Sequence, residues 1–211
     1  MNYCPECGTK LIKKQDGNEG MVDYCEKCGK FHYPTFNSAI STIVIKDDQV
    51  LLIKQYGRDS YILVAGYISK GENAKETLIR EVKEETNLEV VDYLYNDNFY
   101  FSRSNTLMHN YISYVRGEVQ LTNEVDEATY FSYHDAYVNI RHSSLAKKFL
   151  FYGLLKLGKL KDLLTFTDTG IELYDFNEQL VLQYTPNVRY FKSEYVYLKN
   201  IIRQIFEECY N

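Results

Sequence analysis

The sequence predicts an α+β protein in three parts. A small cysteine-stapled module occupies residues 1–34, a mixed strand-and-helix domain 35–140, and a mixed, partly helical extension 141–211. Three observations carry this. Two near-identical knuckles, Cys4-Pro5-Glu6-Cys7-Gly8 and Cys25-Glu26-Lys27-Cys28-Gly29, stand at the N-terminus. Strand-like runs from Ser38 lead into one strongly acidic amphipathic helix, and an apolar stripe at helical spacing closes the chain.

The cysteine spacing falls in the class read as a tetrahedral Cys4 zinc site, with seventeen residues between the two pairs. Gly8 and Gly29 permit the tight turns that point backbone N–H groups at sulfur. A redox Cys-x-x-Cys would normally occur once, near a βαβ pattern. With Cys4, Cys7, Cys25 and Cys28 all bound, zinc has no open position, so its expected role is structural. A module this small has no core of its own and depends on the metal to fold. Cys209 has no partner in sequence and reads as an ordinary thiol.

A link over residues 30–37 contains Tyr33-Pro34. Strand-like runs then cover 38–46 and 49–56 about a polar turn at Asp47-Asp48, and a third run, 61–65, leads directly to Gly66. Asn73 is a good N-cap, and Glu76 three residues on completes a capping box. Ala74, Leu78 and Val82 form one apolar stripe, with Glu81 and Glu84 beside it and Glu85 on its line. Asn87 accepts the left-handed conformation that ends a helix.

Carboxylates at i, i+3 and i+4 repel one another, and one aimed at a packed face is costly without a cation. A bound divalent metal with oxygen ligands, typically Mg²⁺, relieves both costs. The alternative is a solvated acidic face with Arg80 and Lys83 as partners.

Further strands are expected over 88–95, 98–101 and 107–119. Ser143 or Ser144 caps a helix running towards Gly158, and 163–186 is mixed, with a strand-like run at 179–184. A last helix from about Ser193 carries Leu198, Ile201, Ile202, Ile205 and Phe206 on one stripe, for packing on the body or for a dimer seam.

Composition narrows the class. At 45% hydrophobic and 25% charged content, 211 residues suffice for a sizeable core. No apolar run approaches the roughly 20 residues of a membrane span, and the start is not that of a signal peptide. A cytoplasmic location is expected, consistent with cysteines used for metal. A net charge of −5 argues against general coating of nucleic acid. The 21 tyrosines read as coding bias rather than as a binding surface.

Gly66, Glu72 and the run Arg80-Glu81-Val82-Lys83-Glu84-Glu85-Thr86-Asn87-Leu88 resemble the Nudix box, G-x5-E-x7-R-E-U-x-E-E-x-G-U with U aliphatic. One defined position departs, Asn87 standing where the family has Gly. The resemblance implies an α/β/α sandwich and a metal-dependent pyrophosphohydrolase that cleaves a nucleoside diphosphate linked to another group. It implies that Glu81, Glu84, Glu85 and the Gly66 backbone hold Mg²⁺ or Mn²⁺, and that the general base is one of these acids or Glu127. Arg80 is then the residue that orients a box carboxylate, with Glu72 as its partner.

The segment Glu127-Ala128-Thr129-Tyr130-Phe131 resembles a late family motif whose acid joins the metal site. The ribbon, the Tyr-Pro link and the hairpin together resemble the NADH pyrophosphatase branch, over about residues 3–135. Phe101, Ser104, Leu107 and Met108 echo that branch's further signature, but its prolines and Trp are absent.

The resemblance makes a dinucleotide such as NAD(H) or ADP-ribose the expected substrate, with a nucleotide sugar or a capped RNA end as alternatives. Phe36, Tyr67, Phe99, Tyr100 and Phe101 are candidates for stacking a base. A different class is a nucleotide-sensing or nucleic-acid-binding protein with a retired site. The intact set Arg80, Glu81, Glu84 and Glu85 counts against it, since a retired site has no reason to keep repelling acids together.

Overall fold

A computed structural model describes residues 2–210. The chain divides into two compact units, Met1–Asn37 and Ser38–Asn211.

In the first unit, β1 (Ile12–Gln15), β2 (Met21–Cys25) and β3 (Lys30–His32) form an antiparallel sheet in the order β1-β2-β3. Its buried cluster comprises Cys4, Leu11 and Cys25, with Cys7 and Cys28 packed against it. Sulfur thus makes up most of the interior, and so little apolar area cannot offset the entropy of ordering the chain.

The second unit is built on one sheet. Its strands are β4 (Asn37–Lys46), β5 (Gln49–Gln55), β6 (Val64–Tyr67), β7 (Glu89–Phe101), β8 (Thr106–Arg116) and β9 (Val125–Phe131). The order is β7-β8-β4-β5-β9, with β6 paired to the first half of β4. Asp47 and Asp48 both take the left-handed conformation, φ 51° and 57°, which the two-residue turn between β4 and β5 requires. The two runs expected over 88–95 and 98–101 are one strand. Register shifts at Val90/Asp92 and Tyr95/Asp97 absorb the breaks in alternation, so β7 stays paired with β8 throughout.

Alternation along β4 and β5 sends side chains to two cores. Ile40, Val44, Leu51 and Ile53 pack under α1 (Ala74–Thr86), against Leu78 and Val82. Ile43, Ile45, Val50 and Leu52 face the opposite way, towards α2 (Tyr133–Asn139) and α3 (Leu145–Lys156), meeting Tyr137, Phe149 and Leu154. The result is a helix–sheet–helix sandwich. Ser144, not Ser143, caps α3 by accepting from the Lys147 N–H. The short helix α2 was not anticipated, because seven residues give too little periodicity to read.

Residues 164–191 hold a second antiparallel sheet, β10 (Leu164–Thr167), β11 (Gly170–Tyr174), β12 (Leu180–Tyr184) and β13 (Arg189–Phe191), in that order. The sequence marked only the β12 run; the other strands are short and gain their order from pairing. The last helix, α4 (Lys199–Tyr210), follows a 3-10 turn over Ser193–Leu198, so it starts later than expected. Leu198, Ile202 and Ile205 are buried in the same core as Phe149 and Ile43. Ile201 is instead 48% exposed, because it lies about 100° round the helix from Ile202. Among the described residues, no helix is long and apolar enough to cross a membrane.

Candidate active site

The loop between β6 and α1 is set by its own hydrogen bonds. Asn73 accepts from the Glu76 N–H at 3.0 Å, and the Glu76 carboxylate accepts from the Asn73 N–H at 2.9 Å, closing the capping box. At the other end Asn87 is left-handed, φ 61°, with its N–H donating to the Lys83 carbonyl. Within the loop, Glu72 accepts from the Ser69 N–H at 3.1 Å and from the Thr77 hydroxyl at 3.0 Å.

Arg80 ties this loop to the helix. Its Nε and Nη2 grip Glu72 in a fork at 2.7 and 3.0 Å, and Nη2 also donates to the Tyr67 carbonyl at 3.1 Å. Its Nη1 bridges Glu81 at 2.7 Å and Glu84 at 2.8 Å. The guanidinium, then the Ser69 amide, holds Glu72 down at about 2. The same guanidinium screens two of the three clustered acids from each other.

Glu81 and Glu85 face inward, whereas Glu84 is exposed. Gly66 lies so close to Glu81 that a β-carbon there would fall on the carboxyl group, which explains a glycine in mid-strand. Burial raises Glu81 above its ordinary value, with Arg80 opposing. Burial pushes Glu85 up to about 7, although Gln55 on β5 donates to its Oε1 at 2.6 Å. The Glu85 Oε2 atom is buried with no hydrogen-bond partner among the described residues.

These groups share a cavity of about 510 Å³, walled by Gly66, Glu81, Glu85, Gln55, Tyr67 and Glu124 among others. A buried, unpartnered carboxylate oxygen beside a second inward carboxylate is costly alone and fits a divalent cation with oxygen ligands. The residues present therefore suit such an ion. Glu84 stands one turn on from Arg80, turned towards its guanidinium.

Glu127 does not line this cavity. It sits on β9 opposite Lys54, which pairs with it at 2.7 Å, and it also accepts from the Tyr61 hydroxyl. Lys54 first, then Tyr61, holds it down at about 2. The acid that reaches the cavity from this side is Glu124, in the loop before β9. A register shift between Lys54 and Gln55 brings Val125 opposite Gln55, so the residue just before the strand turns to the box. Gln55 was also missed; its signal was a polar residue closing the apolar run of β5.

Of the candidate aromatics, Tyr67 lies at the cavity, joined by Met108 of the echoed signature and by Tyr56, which the sequence did not mark. Phe99 and Tyr100 lie on β7, where Lys148 sits 3.9 Å over the Phe99 ring. Phe101 ends the same strand, and Phe36 belongs to the first unit.

In that unit the four cysteine sulfurs lie within 4.8 Å of one another, with Cys7–Cys25 at 3.6 Å and Cys4–Cys28 at 3.9 Å. A tetrahedron with metal–sulfur bonds of about 2.3 Å has edges of about 3.8 Å, so the cluster fits zinc. The cysteines are free rather than disulfide-bonded.

The family model of the NUDIX domain matches residues 35–152. The NAD-capped RNA hydrolase NudC of Pseudomonas aeruginosa is 31% identical over 135 residues, covering 62% of this chain and 47% of that protein. Its counterpart in Pseudomonas entomophila is 31% identical over 138 residues, covering 63% and 49%. The chain thus spans about half the length of the curated relatives it matches. Among solved structures, a NUDIX hydrolase from Nitrosomonas europaea aligns with TM-score 0.54 at 20% identity, covering 72% of this chain and 91% of that one. The NUDIX domain of Shewanella oneidensis NrtR, solved with ADP ribose, aligns with TM-score 0.52 at 13% identity, covering 64% and 94%. These two share the fold.

Proposed function

The chain belongs to the NUDIX family, and from that premise we propose that it hydrolyses the diphosphate bond of a nucleoside diphosphate linked to another group. The substrate class is a dinucleotide of the NAD(H) or ADP-ribose kind, free or as the cap of an RNA 5′ end. The observation that carries this is the cavity in which Gly66, Glu81 and Glu85 converge with one carboxylate oxygen unpartnered. The likeness to the NAD-capped RNA hydrolases of Pseudomonas and to the NrtR domain solved with ADP ribose supports the choice of substrate.

Glu81, Glu84, Glu85 and the Gly66 carbonyl would hold Mg²⁺ or Mn²⁺, which when bound neutralises diphosphate oxygens and makes a water more acidic. Arg80 keeps Glu81 and Glu84 in place and, through Glu72 and the Tyr67 carbonyl, fixes the loop that carries Gly66. Gln55 orients Glu85 by its bond to Oε1, and the unpartnered Oε2 would be available to the ion. Glu124 faces the cavity with no ion-pair partner among the described residues, and its carboxylate accepts the proton of the attacking water. Tyr67 and Met108 supply an aromatic and a soft wall for a base. Separately, Cys4, Cys7, Cys25 and Cys28 hold one structural zinc.

The test is phosphate release from a panel of diphosphate-linked nucleotides with Mg²⁺ or Mn²⁺. Glu84→Gln and Glu85→Gln remove one anionic site each while nearly preserving shape. Turnover of the best substrate should fall by roughly two or more orders of magnitude in each, the scale of losing a positioned charge or base. Thermal unfolding without metal should improve for Glu85→Gln, whose buried carboxylate is costly, and change little for Glu84→Gln, which gives up an exposed bond to Arg80. Wild-type turnover in both variants would end this mechanism.

A further inference from the structure

A second, smaller cleft of about 120 Å³ adjoins the box cavity and shares two of its walls, Gln55 and Tyr56. Beyond Tyr56 it is lined by Arg58 and Arg141, with Ser60 and Ile62 completing it. The two arginines come from distant parts of the chain. Arg141 is brought here because its N–H donates to the Tyr61 carbonyl at 2.9 Å, beside the parallel bridge of Tyr61 with Ile140. Neither guanidinium is ion-paired among the described residues, although the protein carries more acids than bases, 29 against 24. Two guanidinium groups on one concave surface whose lining holds no carboxylate suit an anion.

The turn between the two clefts is held in an uncommon shape. Tyr56 is left-handed at φ 56°, a conformation seldom taken by an aromatic residue, and the next N–H, of Gly57, donates to Asp126 at 2.7 Å. Asp126 keeps its charge in that contact, but neither it nor any other acid is among the residues that line the cleft. The turn presents the 68% exposed Tyr56 ring as a partition between acidic cavity and basic cleft.

We propose that Arg58 and Arg141 form a subsite for a further phosphate, one nucleoside away from the diphosphate that the box acids handle. The inference rests on the reading of the box as a nucleotide diphosphate site. A plain dinucleotide such as NAD has no group to place there. A substrate that fills both clefts carries a phosphate on its adenosine ribose: at the 3′ position as the first phosphodiester of an RNA chain, or at the 2′ position as in a 2′-phosphorylated dinucleotide. The cleft has room for a phosphate group, not for another nucleoside.

The experiment is equilibrium binding of AMP, adenosine 3′,5′-bisphosphate and adenosine 2′,5′-bisphosphate to wild type, Arg58→Ala and Arg141→Ala. None of these probes contains a diphosphate, so turnover does not interfere. The bisphosphate of the matching source should bind about 10-fold tighter than AMP, and that advantage should shrink with added salt. Either alanine variant should remove most of the advantage while leaving AMP affinity as in wild type. Preference for the 3′ isomer identifies an RNA end, and preference for the 2′ isomer a phosphorylated dinucleotide. Equal affinity for all three probes, or an advantage that survives in both variants, overturns the subsite. Failure of the box reading shows separately, as absence of any hydrolysis across the diphosphate panel by wild type.

Discussion

At the scale of single residues, position relative to a neighbouring cation decides what each acid can do. Glu85 and Glu127 are both glutamates near one sheet edge, yet one is pushed up to about 7 and the other held at about 2. Burial acts on the first; Lys54 and Tyr61 act on the second. Because its folded value lies below the usual value of about 4.3, Glu127 stabilises the fold above that pH, and the gain fades as pH falls towards 2. Glu127→Gln should therefore be slightly less stable than wild type at pH 7, and the two should converge on acidification from about pH 5 to 2. The neutral-pH difference is small because the carboxylate is 44% exposed. Urea unfolding across that range measures it, and a gap that widens in acid would contradict the ion-pair account.

At the scale of elements, the two units are held by different forces. The first has three strands and a sulfur-lined interior, and on the zinc proposal its order comes from metal. Purified protein should carry about one zinc per chain. Cys25→Ser should lose that zinc and melt the Met1–Asn37 unit, while the main transition of Ser38–Asn211 stays within a few degrees of wild type. Metal analysis and calorimetry on the same preparation check both halves, and disulfide-paired cysteines in the native protein would refute the site. In α1 the forces are local: a capping box, a left-handed Asn87 and the Arg80 fork keep the acids in register whether or not a ligand is near.

At the scale of the whole molecule, the 141–211 region is not a satellite of the second unit. Phe149, Ile171, Val181 and Ile202 lie in one buried cluster with Ile43 and Leu52 of the central sheet. Ile202 is fully buried there, so Ile202→Ala should cost about 2–5 kcal/mol, the range for an aliphatic core residue cut to alanine. The loss should appear as one lowered transition for the entire Ser38–Asn211 unit. A separate, earlier transition confined to the C-terminal sheet, seen by hydrogen exchange, would show that the two cores are independent.

The sequence by itself determined what depends on short-range order. The cysteine knuckles, the capped acidic helix, the Asp47-Asp48 turn and the alternation of β4 and β5 are each written in one short, continuous stretch of chain. Their local chemistry survives whatever surrounds it. The family followed from those same residues, because the box is one loop and one helix. What only the tertiary structure decided depends on pairing between distant segments. A register shift opposite Gln55 turns Glu124, rather than Glu127, into the cavity. The crossing of β6 by α1 makes Gly66 necessary for Glu81. The second sheet arises from short strands that are ordered by their neighbours and not by their own patterns. Arg58 and Arg141 meet only because residues 140–141 return to Tyr61. Long-range pairing selects among local patterns that are individually too weak to choose, so it cannot be read from any one of them.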